Sequence, residues 1–303
     1  CVTQCPVNID VPEFRSKFLE QYHSRYFRRV KDNLVGSTES LGRFFSQMPW
    51  LINSFLSLPL CRELLKKQIG LRDFPKYSPE SVRKRLLNYD KTVFNLDDLY
   101  TLSAEESKRS VILLQDAFTS FYESQVVVEF YQLLKELDFA VYVAPFHPNG
   151  KPLHVKGFLT KFKSVAERNT KWLTHIGGAG IPIVGLDPSI VLTYRDEYLR
   201  ILGQMDLPFK VQLPQEFLMM NSKNCRRHSV ESKQKIEEYH LLGHCTEKTT
   251  AEGSLELWKD VFDLFGLDLI LSNAGCCGMA GTYGHETENY EESLGIYDLS
   301  WRK

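Results

Sequence analysis

Three cysteines in the second half of the chain are the residues best suited to chemistry. Cys245 follows one apolar segment, and the run Cys276-Cys277-Gly278 follows another inside a glycine-rich loop. Both segments are predicted to be parallel strands, whose carboxyl ends meet at one edge of a sheet, the usual ligand-binding edge. Three thiolates at such an edge suit zinc or iron, and glycine lets the backbone approach a ligand closely. The pattern therefore predicts a metal or iron–sulfur site with Cys245, Cys276 and Cys277 as ligands.

A terminal motif and two histidines extend this prediction. Three cysteines leave a four-ligand site incomplete, and His244, His285 or a residue beyond Lys303 could supply the fourth ligand. At the other end, Cys1 and Cys5, with a proline after them, match the last part of the ferredoxin motif C-x2-C-x2-C-x3-C-P. Cys1 and Cys5 are expected to hold part of a [4Fe–4S] cluster. A first residue other than Met leads us to expect a fragment of a longer protein.

The remaining cysteines have simpler interpretations. Seven cysteines are present, an odd number with two of them adjacent, which is a poor disulfide framework and favours a reducing compartment. Cys61 lies in a helical pattern and is expected in the core. Cys225 lies in a polar stretch and is expected to be an exposed free thiol.

Composition limits the class of protein. The 303 residues are 43% hydrophobic and 25% charged, which is typical of one or two globular domains. A net charge of −1 argues against a nucleic-acid-binding protein. The most apolar stretch, residues 48–60, is interrupted by polar residues and proline, so we expect no transmembrane segment.

The pattern of apolar and polar residues changes near residue 109. Residues 1–108 carry helical patterns, including aromatic residues at four-residue spacing in 14–26, and are predicted to form a helical, ferredoxin-like domain. Residues 109–303 alternate strands and helices, which predicts an α/β domain with parallel sheets. Two pseudo-repeated halves, about 109–205 and 206–303, are expected there. The predicted strands are 111–114, 139–143, 181–184, 210–213, 239–243 and 267–271, and a last helix is expected over 286–294.

The first half offers a weaker candidate site. Asp116, His147 and His154 follow predicted strands, at positions that the pseudo-symmetry would place near a second site. We expect either a polar binding pocket or ordinary solvated loop residues there.

The cysteine spacing resembles that of a known domain. Cys245-x30-Cys276-Cys277-Gly278 is similar to the cysteine-rich CCG domain found in heterodisulfide reductase and in the iron–sulfur subunits of glycolate oxidase and anaerobic glycerol-3-phosphate dehydrogenase. The segments CPVNIDVP (5–12), LQDAF (114–118), GHCTEKT (243–249) and GCCGMAG (275–281) resemble the carboxyl-terminal third of large bacterial FAD-binding oxidases. The resemblance covers essentially the whole chain. Asp116 stands where the first half of that family has a cysteine, so at most one CCG site is expected.

The resemblance implies a role in electron transfer. Such oxidases act on D-2-hydroxy acids such as D-2-hydroxyglutarate or D-lactate, with FAD in a flavin domain of the same polypeptide. Electrons would then pass one at a time through a ferredoxin-type cluster and the CCG region. The acceptor would be a quinone or a carrier protein. The implied location is cytoplasmic, or peripheral at the inner membrane.

Two other functions stay open from the residues. The α/β domain could be a structural or partner-binding module with a zinc site or no metal. Alternatively, Cys276 and Cys277 could serve as the redox pair of a thiol-dependent reductase.

Overall fold

The chain divides into two compact units. This computed structural model describes residues 9–72, 74–89, 94–227 and 238–302, so the predicted ligands Cys1 and Cys5 lie outside the described residues. One unit, here called the helical unit, comprises Cys1–Ser81, Gly150–Phe162 and Asn273–Lys303. The other, the sheet unit, comprises Val82–Asn149 and Lys163–Ser272.

Short helices make up most of both units. The helices in chain order are α1 Val11–His23, α2 Val30–Gly36, α3 Thr38–Phe45, α4 Pro49–Ser57, α5 Pro59–Leu64, α6 Val82–Leu86, α7 Leu96–Tyr100, α8 Ala104–Lys108, α9 Ala117–Tyr122, α10 Ser124–Glu136, α11 Lys151–Val155, α12 Leu159–Gly177, α13 Pro188–Arg195, α14 Glu197–Leu202, α15 Pro214–Met220, α16 Ser222–Arg227, α17 Cys245–Thr250, α18 Ser254–Leu264 and α19 Tyr290–Ser300. A π-helical turn spans Leu65–Ile69, and 3-10 turns span Tyr283–His285 and Thr287–Asn289.

The strands form two parallel sheets within the sheet unit. They are β1 Ser110–Leu113, β2 Ala140–Val143, β3 Ile183–Val184, β4 Val211–Gln212, β5 Glu238–Leu242 and β6 Asp268–Ser272. The first four pair in the order β2-β1-β3-β4, with Ile112 opposite both Tyr142 and Ile183. β5 pairs with β6, placing Tyr239 opposite Leu269. All of β1 is buried, as expected for a parallel strand covered on both faces. The predicted α/β class with parallel sheets is confirmed.

Apolar side chains hold the sheet unit together. α10 buries Val127, Tyr131 and Leu134 on one face, at the three- and four-residue spacing of an amphipathic helix. These residues belong to one cluster with Leu113 of β1 and Phe217 of α15. The core of this unit is therefore conventional, and its strands lie at the sequence positions where apolar runs predicted them.

Ion pairs occupy the interior of the helical unit. Lys31 Nζ lies 2.7 Å from Glu286 Oε2, and Lys156 Nζ lies 2.5 Å from Glu286 Oε1 and 3.0 Å from Asp32 Oδ1. Lys31, Lys156 and Glu286 are all buried. Because these three residues come from the three separate segments of the unit, the charge cluster joins those segments.

Several boundaries depart from the sequence prediction. α19 begins at Tyr290 instead of 286, because Glu286 is bridged to Leu71 and a 3-10 turn follows. β4 pairs with β3, although the sequence grouped it with the second half. The described residues before Ser110 form helices and the isolated bridge of Leu71, but no strand. The domain boundary at 108 and the halves at 205 remain predictions.

Two cysteines are placed differently from expectation. Cys225 is fully buried in the sheet-unit core, not exposed, and burial raises the pKa of its thiol. α16 continues the helical path of α15 and turns Cys225 towards the core, with its Sγ 3.6 Å from the Leu218 carbonyl. Cys61 lies in α5, a helix without a buried residue, and is only half-buried.

Candidate functional site

Cys245 is the first residue of α17, three residues after β5 ends. His244 caps the helix, since its Nδ1 accepts a hydrogen bond from the Thr246 amide at 3.2 Å. Gly243 has no room for a side chain, because a Cβ there would lie 2.5 Å from a methyl group of Leu255. The Cys245 side chain is exposed. Cys245 therefore carries an accessible thiol at the end of β5, and its position is set by the helix cap and by Gly243.

Cys276 and Cys277 lie in the loop that follows β6, within the helical unit. Cys276 is exposed and Cys277 is half-buried. The Gly278 amide donates a hydrogen bond to Cys276 Sγ at 3.4 Å. Gly278 has a φ of +81°, and a Cβ there would lie 2.2 Å from the Ser293 carbonyl oxygen, so glycine is required.

The same loop is anchored on α19. The Ser293 hydroxyl donates to the Gly278 carbonyl at 3.0 Å, and the Gly275 amide donates to the Ser300 hydroxyl at 3.1 Å. The Trp301 indole donates to the Gly275 carbonyl at 3.0 Å. These bonds fix the backbone on both sides of the cysteine pair, so the two thiols are held in a defined place within the helical unit.

His285 lies near this loop, in a 3-10 turn of the helical unit. Its carbonyl accepts a hydrogen bond from the Arg72 amide at 2.8 Å, and the next residue is the buried Glu286. The predicted fourth-ligand candidates His244 and His285 are thus both fixed by local hydrogen bonds, each in its own unit. Their roles as ligands remain predictions.

Two carboxylates occupy the edge between β1 and β3. Asp116 caps α9, its Oδ1 accepting from the Phe118 and Thr119 amides at 2.8 and 2.9 Å. Asp187 caps α13, its Oδ1 accepting from the Ile190 amide at 3.0 Å. The chain crosses over in opposite directions from β1 and β3, which makes this edge a topological switch point, where α/β proteins commonly bind ligands.

This carboxylate edge leaves little free space. Asp116 and Asp187 line a cavity of about 10 Å³, the room of a single water molecule. Burial, with a smaller contribution from the Asp187 charge, raises the pKa of Asp116 to about 6. Asp187 was not among the site residues predicted from the sequence. The signal that could have found it is an Asp-Pro helix start directly after a predicted strand.

The two other histidines of the first half lie in different units. His147 stacks on Trp172 in the sheet unit, with ring centroids 3.8 Å apart and planes 15° apart. His154 is buried in the helical unit, where its Nε2 lies 3.0 Å from Glu13 Oε2. Asp116 therefore lies beside Asp187 in the sheet unit. It does not form a cluster with both histidines, as the expected polar pocket would require.

No ready-made metal cluster is present among the described residues. In residues 9–72, 74–89, 94–227 and 238–302, no group of three or more His, Cys, Asp or Glu side chains is arranged to hold a metal ion. Cys245 lies in one unit and Cys276 and Cys277 lie in the other. Their chemistry nevertheless fits a thiolate-bound metal, since accessible sulfurs and an amide donor to one sulfur are features of iron–sulfur sites.

The chain is similar to bacterial dehydrogenases along its whole length. It is 43% identical over 303 residues to D-2-hydroxyglutarate dehydrogenase of Escherichia coli, and 39% identical over 301 residues to that of Pseudomonas putida. These alignments cover 100% and 99% of this chain, but the chain spans only 29% of the length of each relative. One subunit of the anaerobic glycerol-3-phosphate dehydrogenase of Escherichia coli is 23% identical over 274 residues, which is 88% of this chain and 66% of that subunit. No family model and no solved structure matches the chain.

Proposed function

We propose that this chain is the electron-transfer portion of a flavin-linked D-2-hydroxy-acid dehydrogenase. The observation that carries the proposal is the similarity over the full chain to D-2-hydroxyglutarate dehydrogenases, at 37% to 43% identity among three of them. The chain spans about 30% of their length, so we assign FAD and substrate oxidation to another domain of the same polypeptide. The acceptor is a quinone or a carrier protein, and the protein functions in the cytoplasm or peripherally at the inner membrane.

Within this role, Cys245, Cys276 and Cys277 hold an iron–sulfur cluster of the CCG type. The supporting observations are that β5 and β6 are parallel neighbours, and that Cys245 and Cys276 follow their carboxyl ends by three and four residues. A bound [4Fe–4S] cluster supplies one-electron transfer. This chain's own contribution is to hold the ligands and tune the sulfurs, as the Gly278 amide does for Cys276. His244 and His285 are candidates for the remaining ligand, and Cys1 and Cys5 for part of a second, ferredoxin-type cluster.

Anaerobic purification followed by iron and sulfide analysis tests this assignment. We expect a brown protein with a broad visible absorbance, and an electron paramagnetic resonance signal after reduction. Cys276→Ser, Cys277→Ser and Cys245→Ser should each lower the iron content and change that signal. Cys61→Ser is the matched control, because Cys61 is also a free, solvent-accessible cysteine but is assigned no ligand role.

The same measurement separates the alternatives. Colourless protein with one zinc per chain, lost in Cys276→Ser, would replace the cluster with a structural zinc site. Unchanged metal content in all three variants would show that the ligand assignment is wrong. A protein without metal whose Cys276 and Cys277 cycle between thiol and disulfide would support the thiol reductase instead.

A further inference from the structure

The segment from α4 through the π-helical turn is apolar, yet it buries no residue. None of the residues in α4, α5 or the turn Leu65–Ile69 is classed as buried. Its large exposed apolar residues are Trp50, Leu51, Phe55, Leu58, Leu60 and Leu64. An apolar helix face of this kind is ordinarily covered by a core, a partner or lipid.

Hydrogen bonds fix which side of α4 faces outward. The Asn53 side chain donates to the Tyr77 carbonyl at 2.8 Å and accepts from the Tyr77 amide at 2.9 Å, which turns Asn53 inward. At 3.6 residues per turn, Leu51 and Phe55 then lie on the side of α4 opposite Asn53. Trp50 lies on the flank of the helix, and 70% of it is exposed. Ser54 and Ser57 donate their hydroxyls to the Trp50 and Asn53 carbonyls at 2.7 and 2.6 Å. The serine hydroxyls are therefore already bonded within the helix, which lowers the cost of moving this face out of water.

Basic residues are concentrated in the sequence segment that forms this apolar face. Residues 43–77 contain six basic residues and two acidic ones, Glu63 and Asp73, in a chain whose net charge is −1. The basic residues are Arg43, Arg62, Lys66, Lys67, Arg72 and Lys76.

Three of these cations line a cleft beside α4. The cleft measures about 90 Å³, and Arg62, Arg72 and Lys76 are among the described residues around it. Arg62 Nε donates to the Leu56 carbonyl at 3.1 Å, and the Arg72 guanidinium lies 3.7 Å from the centre of the Tyr290 ring. The two arginines are thereby held next to the apolar face, and the cleft has room for an anionic group such as a phosphate.

We propose that this face, formed by α4, α5 and the basic residues Arg62 to Lys76, docks on an anionic phospholipid surface. The aromatic and leucine side chains would enter the boundary between headgroups and acyl chains, while the basic side chains contact lipid phosphates. The excess of positive charge favours a phospholipid surface over a protein domain, because apolar contact with a protein domain does not require positive charge. None of the helices among the described residues has the length and apolar character needed to span a bilayer. None of the proposed cluster ligands belongs to this face, so the proposal is independent of the cluster.

Vesicle flotation with the full chain tests the proposal. The probes are vesicles of phosphatidylcholine alone and of phosphatidylcholine mixed with phosphatidylglycerol. We expect binding to the mixed vesicles, which weakens as salt is raised. The double variant Trp50→Ser, Phe55→Ser should lower the partition constant by about tenfold or more, because two buried aromatic contacts are lost. Lys66→Gln with Lys67→Gln should lower it by about 25-fold, since each basic residue near an anionic surface contributes roughly a fivefold factor.

Matched controls make the result specific to this face. Phe14→Ser with Phe18→Ser removes two aromatic residues of α1 that are 67% and 54% exposed, against 70% and 53% for Trp50 and Phe55. Lys163→Gln with Lys171→Gln removes two exposed positive charges from α12. These controls should retain binding, and all variants should keep the circular dichroism of the parent.

Three results would overturn the proposal. One is no binding to the mixed vesicles, and another is an equal loss in the control variants. The third is unchanged vesicle binding by Trp50→Ser, Phe55→Ser together with weaker association with a flavin domain, which would identify a protein-docking face. A colourless protein that still floats with mixed vesicles supports the lipid surface while contradicting the cluster, so the two proposals fail separately.

Discussion

The helical unit and the sheet unit differ in what their interiors contain. The sheet unit encloses residues such as Leu113, Leu134 and Phe217, whereas the helical unit encloses Lys31, Lys156 and Glu286. Outside, the helical unit exposes large apolar residues along α1 and α4. The sheet unit therefore has an extended apolar core, whereas the helical unit combines a smaller set of buried apolar residues, among them Val35, Leu71 and Tyr77, with buried charge pairing.

The two units also differ in the pKa values of their buried carboxyl groups. In the helical unit, the His154 bond lowers the pKa of Glu13 to about 2. Burial raises the pKa of Glu286, but the bonds from Lys156 and Lys31 outweigh burial and hold that pKa below its ordinary value. In the sheet unit, burial raises the pKa of Asp116 and of Glu247. The pKa of Glu216, which is bonded to Arg195, is lowered despite burial. The pKa values of the exposed Glu105 and Glu106 in the same unit are lowered by Lys108 and Ser103.

The largest predicted effect is the loss of charge pairing in the helical unit. Glu286→Gln leaves two buried lysines without the carboxylate they share, and we expect it to destabilise the unit by roughly 3 to 5 kcal/mol. Peptide-resolved hydrogen exchange should show lost protection in the helical unit. Glu288→Gln is the control, because Glu288 is 55% exposed and its removal should cost under about 1 kcal/mol. Equal effects of the two variants would mean that the buried pairs do not stabilise this unit.

The difference between the units explains what the sequence could predict. Short apolar runs identified the strands, because a parallel strand buried on both faces needs such a run. The ion-pair core could not be recognised, since Lys31, Lys156 and Glu286 are far apart in sequence and each resembles a solvated surface residue. The cysteine motifs predicted the strand-end positions of Cys245 and Cys276. Cys225 was wrongly predicted to be exposed because its sequence neighbours are polar. Those neighbours give no sign that one side of the short helix α16 faces the core.

An intermediate effect is expected from the buried acid of the sheet unit. A pKa raised to about 6 means that the folded state binds a proton at Asp116 more tightly than the unfolded state, where the value is near 3.8. Stability contributed by the protonated form is therefore present in acid and lost as pH rises from about 4 to about 6. The loss amounts to about 3 kcal/mol, and Asp116→Asn should remove this pH dependence while still capping α9. Protection of β1 and β3 measured at pH values across that range checks the sign.

Asp187→Asn serves as the companion variant in that experiment. Because the Asp187 charge is the second contribution to the raised pKa of Asp116, its removal should lower that pKa and shift the loss of stability towards lower pH. A profile in which both variants keep the parent's pH dependence would rule out the carboxylate pair as its source.

The smallest effect should come from Glu13 in the helical unit, and its sign is opposite. Its pKa is lowered to about 2 from 4.5, so the stability it contributes is present above pH 4.5 and lost as pH falls towards 2. Glu13 is partly exposed, so solvent screening reduces the contribution to about 1 kcal/mol. Glu13→Gln should remove that part of the acid sensitivity from the peptides of α1 and α11, with the sheet unit unchanged. Glu136→Gln, at an exposed position of α10 in the sheet unit, is the control and should leave both profiles unaltered. If Glu13→Gln instead changed protection equally in both units, the separate pH responses that distinguish them would be refuted.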